Sequence, residues 1–172
     1  MEHVGTIVVI VISIVVLFVG PVMTMADKTD DAVNLTVQSA TTEFVNKIKK
    51  TGKLTQDDYD NFILTLSATG NTYDVEIILQ ILDEKPTKKS NGARQVIGDN
   101  VYYSKYTSQV LDELKLSSGV ISLKEGDIVI VRVKNSNRTP AAEFRNGAYK
   151  VTGNDSSTIK AEDSGVVSKT AD

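Results

Sequence analysis

The chain opens with a long apolar run that carries no charge. Residues 4–26 contain no Asp, Glu, Lys or Arg, and their only hydroxyl side chains are Thr6, Ser13 and Thr24. Crossing about 30 Å of hydrocarbon takes roughly 20 residues of α-helix, so the run is long enough to span a bilayer. A helix buried in a soluble core would show a polar face, and this run shows none. The pattern predicts a transmembrane anchor over residues 1–26. Its membrane or assembly positions are Val4, Ile7, Val11, Ile14, Leu17 and Phe18.

A cleaved secretory signal is the competing interpretation of this run. Thr24-Met25-Ala26 is an acceptable cleavage site. No Lys or Arg precedes the run, however, and the run exceeds the roughly 7–15 apolar residues of a signal peptide. A retained single-pass anchor in the cell membrane is therefore favoured. The positive-inside rule gives little direction, because only Lys28 flanks the run closely. The short segment before the run and the long one after it favour an extracytoplasmic C-terminal domain.

Apolar residues then recur at helical spacing. Val33, Val37, Phe44 and Ile48 are separated by multiples of about one turn, which predicts an amphipathic helix over residues 27–50 that continues from the span. Gly52 is a suitable residue to end it. A helix of this kind can pack against copies of itself, and its apolar stripe is then expected to be buried between subunits.

The remainder of the chain changes from helical to strand periodicity. A second short helix starts at Thr55 as N-cap and completes the segment 27–70. Residues 71–172 are then predicted to form a β-rich extracytoplasmic domain. Its predicted elements are strands at 73–82 and 128–134, a helix at 106–116, shorter strands at 148–151, 158–161 and 166–167, and a polar loop at 83–100. The fold class is α+β, with a long N-terminal helix followed by a small, mostly antiparallel β domain.

Composition removes most catalytic chemistry. There is no cysteine and the single histidine is His3, so disulfides, thiolate zinc sites and a His-based triad are excluded. Nineteen basic residues against 22 acidic ones give a net charge of −3, which does not suit nucleic-acid binding. We expect no enzyme activity, no cofactor and no metal site. The lipid bilayer is the first expected partner.

Tyrosines cluster at one place in the second half of the chain. Tyr102, Tyr103 and Tyr106 lie within five residues of one another and are a candidate partner or ligand surface. The same spacing is equally typical of strand or core residues. Both interpretations stay open at the level of sequence.

Several segments resemble the small pilin-like proteins of Gram-positive tight-adherence (Tad) type IV-like pilus and secretion systems. Besides the apolar opening helix, the similar segments are residues 40–52 (beginning ATTEFV), 54–59 (LTQDDY), 68–76 (ATGNTYDVE) and 126–135 (GDIVIVRVKN). One departure concerns the leader of a type IV prepilin, which ends in Gly with Glu at the fifth place beyond. Here Gly5 is the early candidate, and Ile10 occupies that fifth place.

The resemblance implies a non-enzymatic pilin-like or pseudopilin subunit. Such a subunit assembles through its N-terminal helix with copies of itself or with other pilin-like subunits, at the cell surface or in a pilus. The alternative is a membrane-tethered extracellular module that binds a ligand or partner, with Tyr102, Tyr103 and Tyr106 on its binding surface.

Overall fold

The computed structural model describes residues 2–83, 102–137, 139 and 159–171. A single helix, α1 (Glu2–Thr51), runs for 50 residues through both the apolar run and the amphipathic segment. Pro21 lies inside this helix and does not end it. Gly52 ends it with a positive φ of 64°, a conformation that glycine adopts without steric cost. The prediction that the amphipathic helix continues directly from the apolar span, over residues 4–50, is confirmed.

Two short elements follow α1. Strand β1 (Lys53–Thr55) leads into α2 (Gln56–Ser67), whose N-cap is Thr55. The Thr55 hydroxyl accepts a hydrogen bond from the backbone N–H of Asp58 at 3.1 Å, as the sequence predicted for an N-cap. Helix α2 packs against α1 through Phe62, whose ring stacks on that of Phe44 of α1 with centroids 4.4 Å apart.

We call the described residues from Lys53 onward the head, and their strands form two antiparallel sheets. The larger one has the order β3-β2-β5-β6, and the smaller one pairs β1 with β4. The strands are β2 (Tyr73–Leu82), β3 (Tyr102–Lys105), β4 (Val120–Ser122), β5 (Ile128–Asn135) and β6 (Lys160–Val166). Helix α3 (Thr107–Leu116) follows β3. The molecule is therefore α+β, with a long N-terminal helix and a small antiparallel sheet domain, as predicted.

One hydrophobic core joins the helix to the sheet. Val37, Val45 and Ile48 of α1 are fully buried in the same cluster as the inward-facing residues of β2 and β5. Those strand residues are Ile77, Leu79, Val129, Val131 and Val133. The described residues of segments 27–70 and 71–172 thus contribute to one core, because the amphipathic half of α1 has its apolar face on the sheet.

The chain after β6 returns to the end of α1. The backbone N–H of Ser168 donates to the carbonyl of Lys49 at 3.0 Å, and Ala171 donates to Leu123 at 3.1 Å. Gly52 lies directly against this tail, since a Cβ added there would be 2.3 Å from the carbonyl oxygen of Lys169. The tail and the end of α1 therefore hold each other in place.

The sequence-based elements are corrected at two places. The two tail strands predicted at 158–161 and 166–167 overlap the two ends of one strand, β6 (Lys160–Val166). The three-residue strands β1 and β4 were not predicted. The predicted strand at 148–151 lies outside the described residues, as does nearly all of the predicted loop at 83–100.

Candidate membrane and assembly surface

The apolar first part of α1 is exposed on the side chains that the structure describes. Its predicted membrane or assembly positions are all exposed: Val4, Ile7, Val11, Ile14, Leu17 and Phe18. Phe18 is 71% exposed, although aromatic side chains ordinarily lie in cores or interfaces. By length and composition this helix can cross a membrane, and its most apolar stretch is exposed. An apolar surface of this size requires lipid or protein to cover it.

The apolar stripe higher on α1 has a different surrounding from the one expected. Val37, Phe44 and Ile48 are 0%, 5% and 0% exposed, and Val33 packs against the same core. We predicted that this stripe would be buried between subunits. It is instead buried inside the chain, because the sheet covers the helix face that the heptad-like spacing creates. Any assembly surface on α1 must therefore lie below Val33 or on another face.

A shallow groove continues the exposed apolar surface upward from the span. Met25, Ala32 and Val33 of α1 form one wall, and Thr65 of α2 and the C-cap residue Ala68 form the other. Helix α2 runs antiparallel to α1 here, so its C-terminal end points toward the apolar segment. The groove thus begins where the apolar run ends, and Met25 at its mouth is 70% exposed.

The three tyrosines do not form one surface. Tyr102 and Tyr103 are neighbours in strand β3 and therefore point to opposite faces of the sheet. The Tyr102 hydroxyl donates to the carbonyl of Gly126 at 3.3 Å, which gives it a structural role. Tyr103 and Tyr106 are 42% and 55% exposed. The candidate partner surface is reduced to these two residues at the edge of the sheet.

Charged side chains on the outer sheet face form ion pairs across neighbouring strands. The Arg132 guanidinium on β5 lies 3.3 Å from a Glu76 carboxylate oxygen on β2 and 3.0 Å from one of Glu162 on β6. The hydrogen bond to Glu162, followed by that to Glu76, raises the pKa of Arg132 above its ordinary value. All three side chains are about half exposed, so the ladder contributes little to stability. Cross-strand pairing accounts for this arrangement of charges, which indicates no ligand.

Two groups between α1 and α2 have raised pKa values. Lys47 lies 2.5 Å from the carboxylate of Asp58, whose side chain is only 10% exposed. This hydrogen bond and the attraction between the charges raise the pKa of Lys47 above 10.5. Burial, followed by the charge of Asp60, raises the pKa of Tyr59 above 10.0. Both groups therefore favour the protonated form more strongly in the folded chain than in the unfolded one.

We expect these shifts to make the chain less stable in alkali. A group whose folded pKa is raised contributes stability below its unfolded pKa, and that contribution is lost as the pH rises through the folded pKa. The free energy of unfolding should fall above about pH 10, close to the unfolded values of Tyr and Lys. Urea titrations of the full chain in detergent across this range measure it. The double change Lys47→Met, Tyr59→Phe should flatten the decline, whereas Lys50→Met on an exposed position should not. An equal decline in all three proteins would contradict the assignment.

Within the described residues there is no group of three His, Cys, Asp or Glu side chains that could hold a metal ion. Comparison of the chain with family models, with curated proteins and with solved structures finds no match.

Proposed function

We propose that this chain is a membrane-anchored, non-enzymatic subunit of the pilin-like kind, which assembles through its N-terminal helix in a pilus or secretion apparatus. One observation carries the proposal. A single 50-residue helix is wholly exposed and apolar in its first part and forms part of the core of an antiparallel head in its second. At 1.5 Å per residue, the residues before Met25 extend about 35 Å from the head, enough to cross the hydrocarbon layer.

The burial of side chains in the structure limits which residues are available for contacts between subunits. Because Val37, Phe44 and Ile48 are buried within the chain, they are not available to a neighbour. The segment from Val4 to Met25 remains, together with the groove that continues it between α1 and α2. We place the assembly surface there and the head on the outer side of the membrane.

The absence of cysteine makes a direct test possible, because one introduced cysteine is the only thiol of the chain. Single variants at each of the eight successive residues 8–15 sample all sides of the apolar helix over two turns. They would be oxidised in membranes of the cells that produce the protein, and disulfide-linked dimers measured on gels. We expect strong linking at positions three or four residues apart and weak linking between them, since a packed helix presents one face.

Leu64→Cys is the matched control, because Leu64 is 69% exposed on α2 and lies outside the apolar segment. It should give little dimer. Weak and uniform linking at every position of the apolar helix would sink assembly and leave a simple anchor. The membrane-tethered binding module would then be the better proposal, with Tyr103 and Tyr106 as the first residues to test.

A further inference from the structure

The groove between α1 and α2, here called the α1–α2 groove, begins at the level of the lipid headgroups and rises above them. The uncharged run ends at Ala26, and Lys28 of the groove follows it closely. At 1.5 Å per residue, Lys28 lies about 3 Å above the hydrocarbon, inside a headgroup layer about 5–8 Å thick. Thr36, which lines the upper end of the groove with Thr65 of α2, lies about 15 Å above the hydrocarbon. A chain anchored by this run therefore holds the lower end of the groove open to the bilayer.

The walls of the groove are apolar, although threonines line both of them. Each of these threonine hydroxyls bonds a backbone carbonyl of the chain itself at 2.8–2.9 Å: Thr29 bonds Met25, Thr36 bonds Ala32, Thr65 bonds Asn61 and Thr69 bonds Leu66. None of these hydroxyl protons is left for a ligand. A sugar or a peptide backbone placed here would lose hydrogen bonds to water without replacement, which is costly. The walls therefore suit a hydrocarbon chain.

Lys28 is the one charged side chain among the described residues that line the groove, and it is exposed. A lysine can lay its aliphatic stem along an apolar wall while its ammonium reaches the headgroup region. The phosphate diesters of phospholipids lie in that region, and attraction to anionic lipid adds to binding at this height. The groove thus combines an apolar wall with a cation at its lower end.

A neighbouring copy of the chain matches the walls but not the charge. Residues 4–26 contain no Asp or Glu, so the apolar segment of a neighbour would offer Lys28 no anion. It would also cover the ammonium with hydrocarbon, which carries a desolvation cost. A phospholipid supplies an acyl chain and an anion in one molecule, and both parts of the groove favour it.

We propose that the α1–α2 groove binds one phospholipid of the adjacent leaflet, with one acyl chain raised along the walls and the phosphate on the Lys28 ammonium. The other chain stays in the bilayer beside the apolar segment. The inference rests on the membrane anchoring in the proposed function, and not on assembly. A lipid in the groove lies at the upper end of the assembly surface, so a neighbouring copy packed there contacts the lipid as well as the helix.

A photoreactive lipid tests the proposal on the unmodified full chain. The protein would be reconstituted at low density in phosphatidylcholine vesicles that contain phosphatidylglycerol with a diazirine near the end of one acyl chain. Cross-linked residues are identified by mass spectrometry. We expect cross-links on Thr65 and Ala68, in addition to those on residues 4–26. Leu64 is the internal control, because it is 69% exposed on the same helix but does not line the groove, and it should remain unmodified.

Two lysine variants test the phosphate contact. Lys28→Gln should lower the cross-linking yield on Thr65 and Ala68 by about fivefold relative to the yield on residues 4–26, since the charge that attracts the lipid is gone. Lys50→Gln is the matched control on an exposed position of α1 outside this groove, and it should leave the relative yield unchanged. Equal yields in Lys28→Gln and the unmodified chain would overturn the assignment of the phosphate to Lys28.

The pattern of cross-links also separates the groove from the anchor. Cross-links confined to residues 4–26 would overturn the lipid groove and leave the anchor intact. Their absence from residues 4–26 would overturn both, because the anchoring of the proposed function would then be wrong. A disulfide between Thr65→Cys of one copy and Val11→Cys of another, formed in the same vesicles, would assign the groove to a neighbouring copy and overturn the lipid proposal.

Discussion

Replacing Phe44 with alanine is expected to lower the free energy of unfolding of the full chain by about 3–5 kcal/mol. Phe44 is 5% exposed and stacks on Phe62 with an angle of 1° between the rings, so its removal leaves a cavity between α1 and α2. A residue reserved for contacts between subunits would instead be exposed in the monomer, and its loss would cost the monomer little. Urea unfolding of monomers in detergent, monitored by circular dichroism, shows whether the helix stripe is buried within the monomer or exposed for contacts between subunits.

Leu35→Ala is the matched control on the same helix. Leu35 is 68% exposed, and its truncation should change stability by no more than about 0.5 kcal/mol. Phe62→Ala and the Phe44–Phe62 double variant complete a cycle, for which we expect a coupling of about 0.5–1.5 kcal/mol from the stacked rings. A small effect of Phe44→Ala, similar to that of Leu35→Ala, would show that the helix is not docked on the head in solution.

Gly52→Ala is expected to destabilise the chain by about 2–5 kcal/mol, for two reasons that add. The positive φ of 64° costs a residue with a Cβ about 1–2 kcal/mol. The added carbon would also lie 2.3 Å from the carbonyl oxygen of Lys169 and 2.7 Å from the nitrogen of Ala171. Relieving this overlap requires the tail to move, at a further cost of about 1–3 kcal/mol. Urea unfolding gives the total.

Gly70→Ala isolates the backbone part of that cost. Gly70 also has a positive φ, of 79°, but a Cβ there would meet no atom within 4 Å. We expect it to cost only about 1–2 kcal/mol. If the two alanine variants were equally stable, the tail would not be packed on Gly52 in solution.

Periodicity predicted the elements whose buried and exposed residues alternate regularly over many positions. The second half of helix α1, helix α2, strand β5 and the first half of strand β2 are of this kind. It missed β1 and β4, because a three-residue strand places a single side chain inward, Leu54 or Ile121, and one residue has no period. It divided β6 in two, because the middle of that strand is polar. Glu162 pairs with Arg132 there, and Gly165 leaves room for the side chain of Lys49.

The candidate surface was predictable only in part, for a related reason. The uncharged run of α1 identifies its environment from sequence alone, since a helix that is apolar on every side is not stable in contact with water. The stripe of Val37, Phe44 and Ile48 indicates only that this face of the helix is buried against another apolar surface. Whether the cover is the chain's own sheet or another subunit depends on contacts distant in sequence. The hydrogen bond that the buried Thr139 hydroxyl donates to the Asp30 carboxylate, 109 residues away in the chain, likewise leaves no local pattern to find.

The contact of the tail with α1 also bears on how the protein folds during synthesis. Ser168 bonds the carbonyl of Lys49 across 119 residues, and β6 lies beside the same helix. The helix therefore leaves the ribosome first, and the strand that completes its cover leaves it more than one hundred residues later. Until then the part of the apolar face of α1 that β6 covers is open to water and to chaperones. Contacts this far apart close slowly, so the delay before the last strand arrives is the interval in which this protein is most exposed to aggregation.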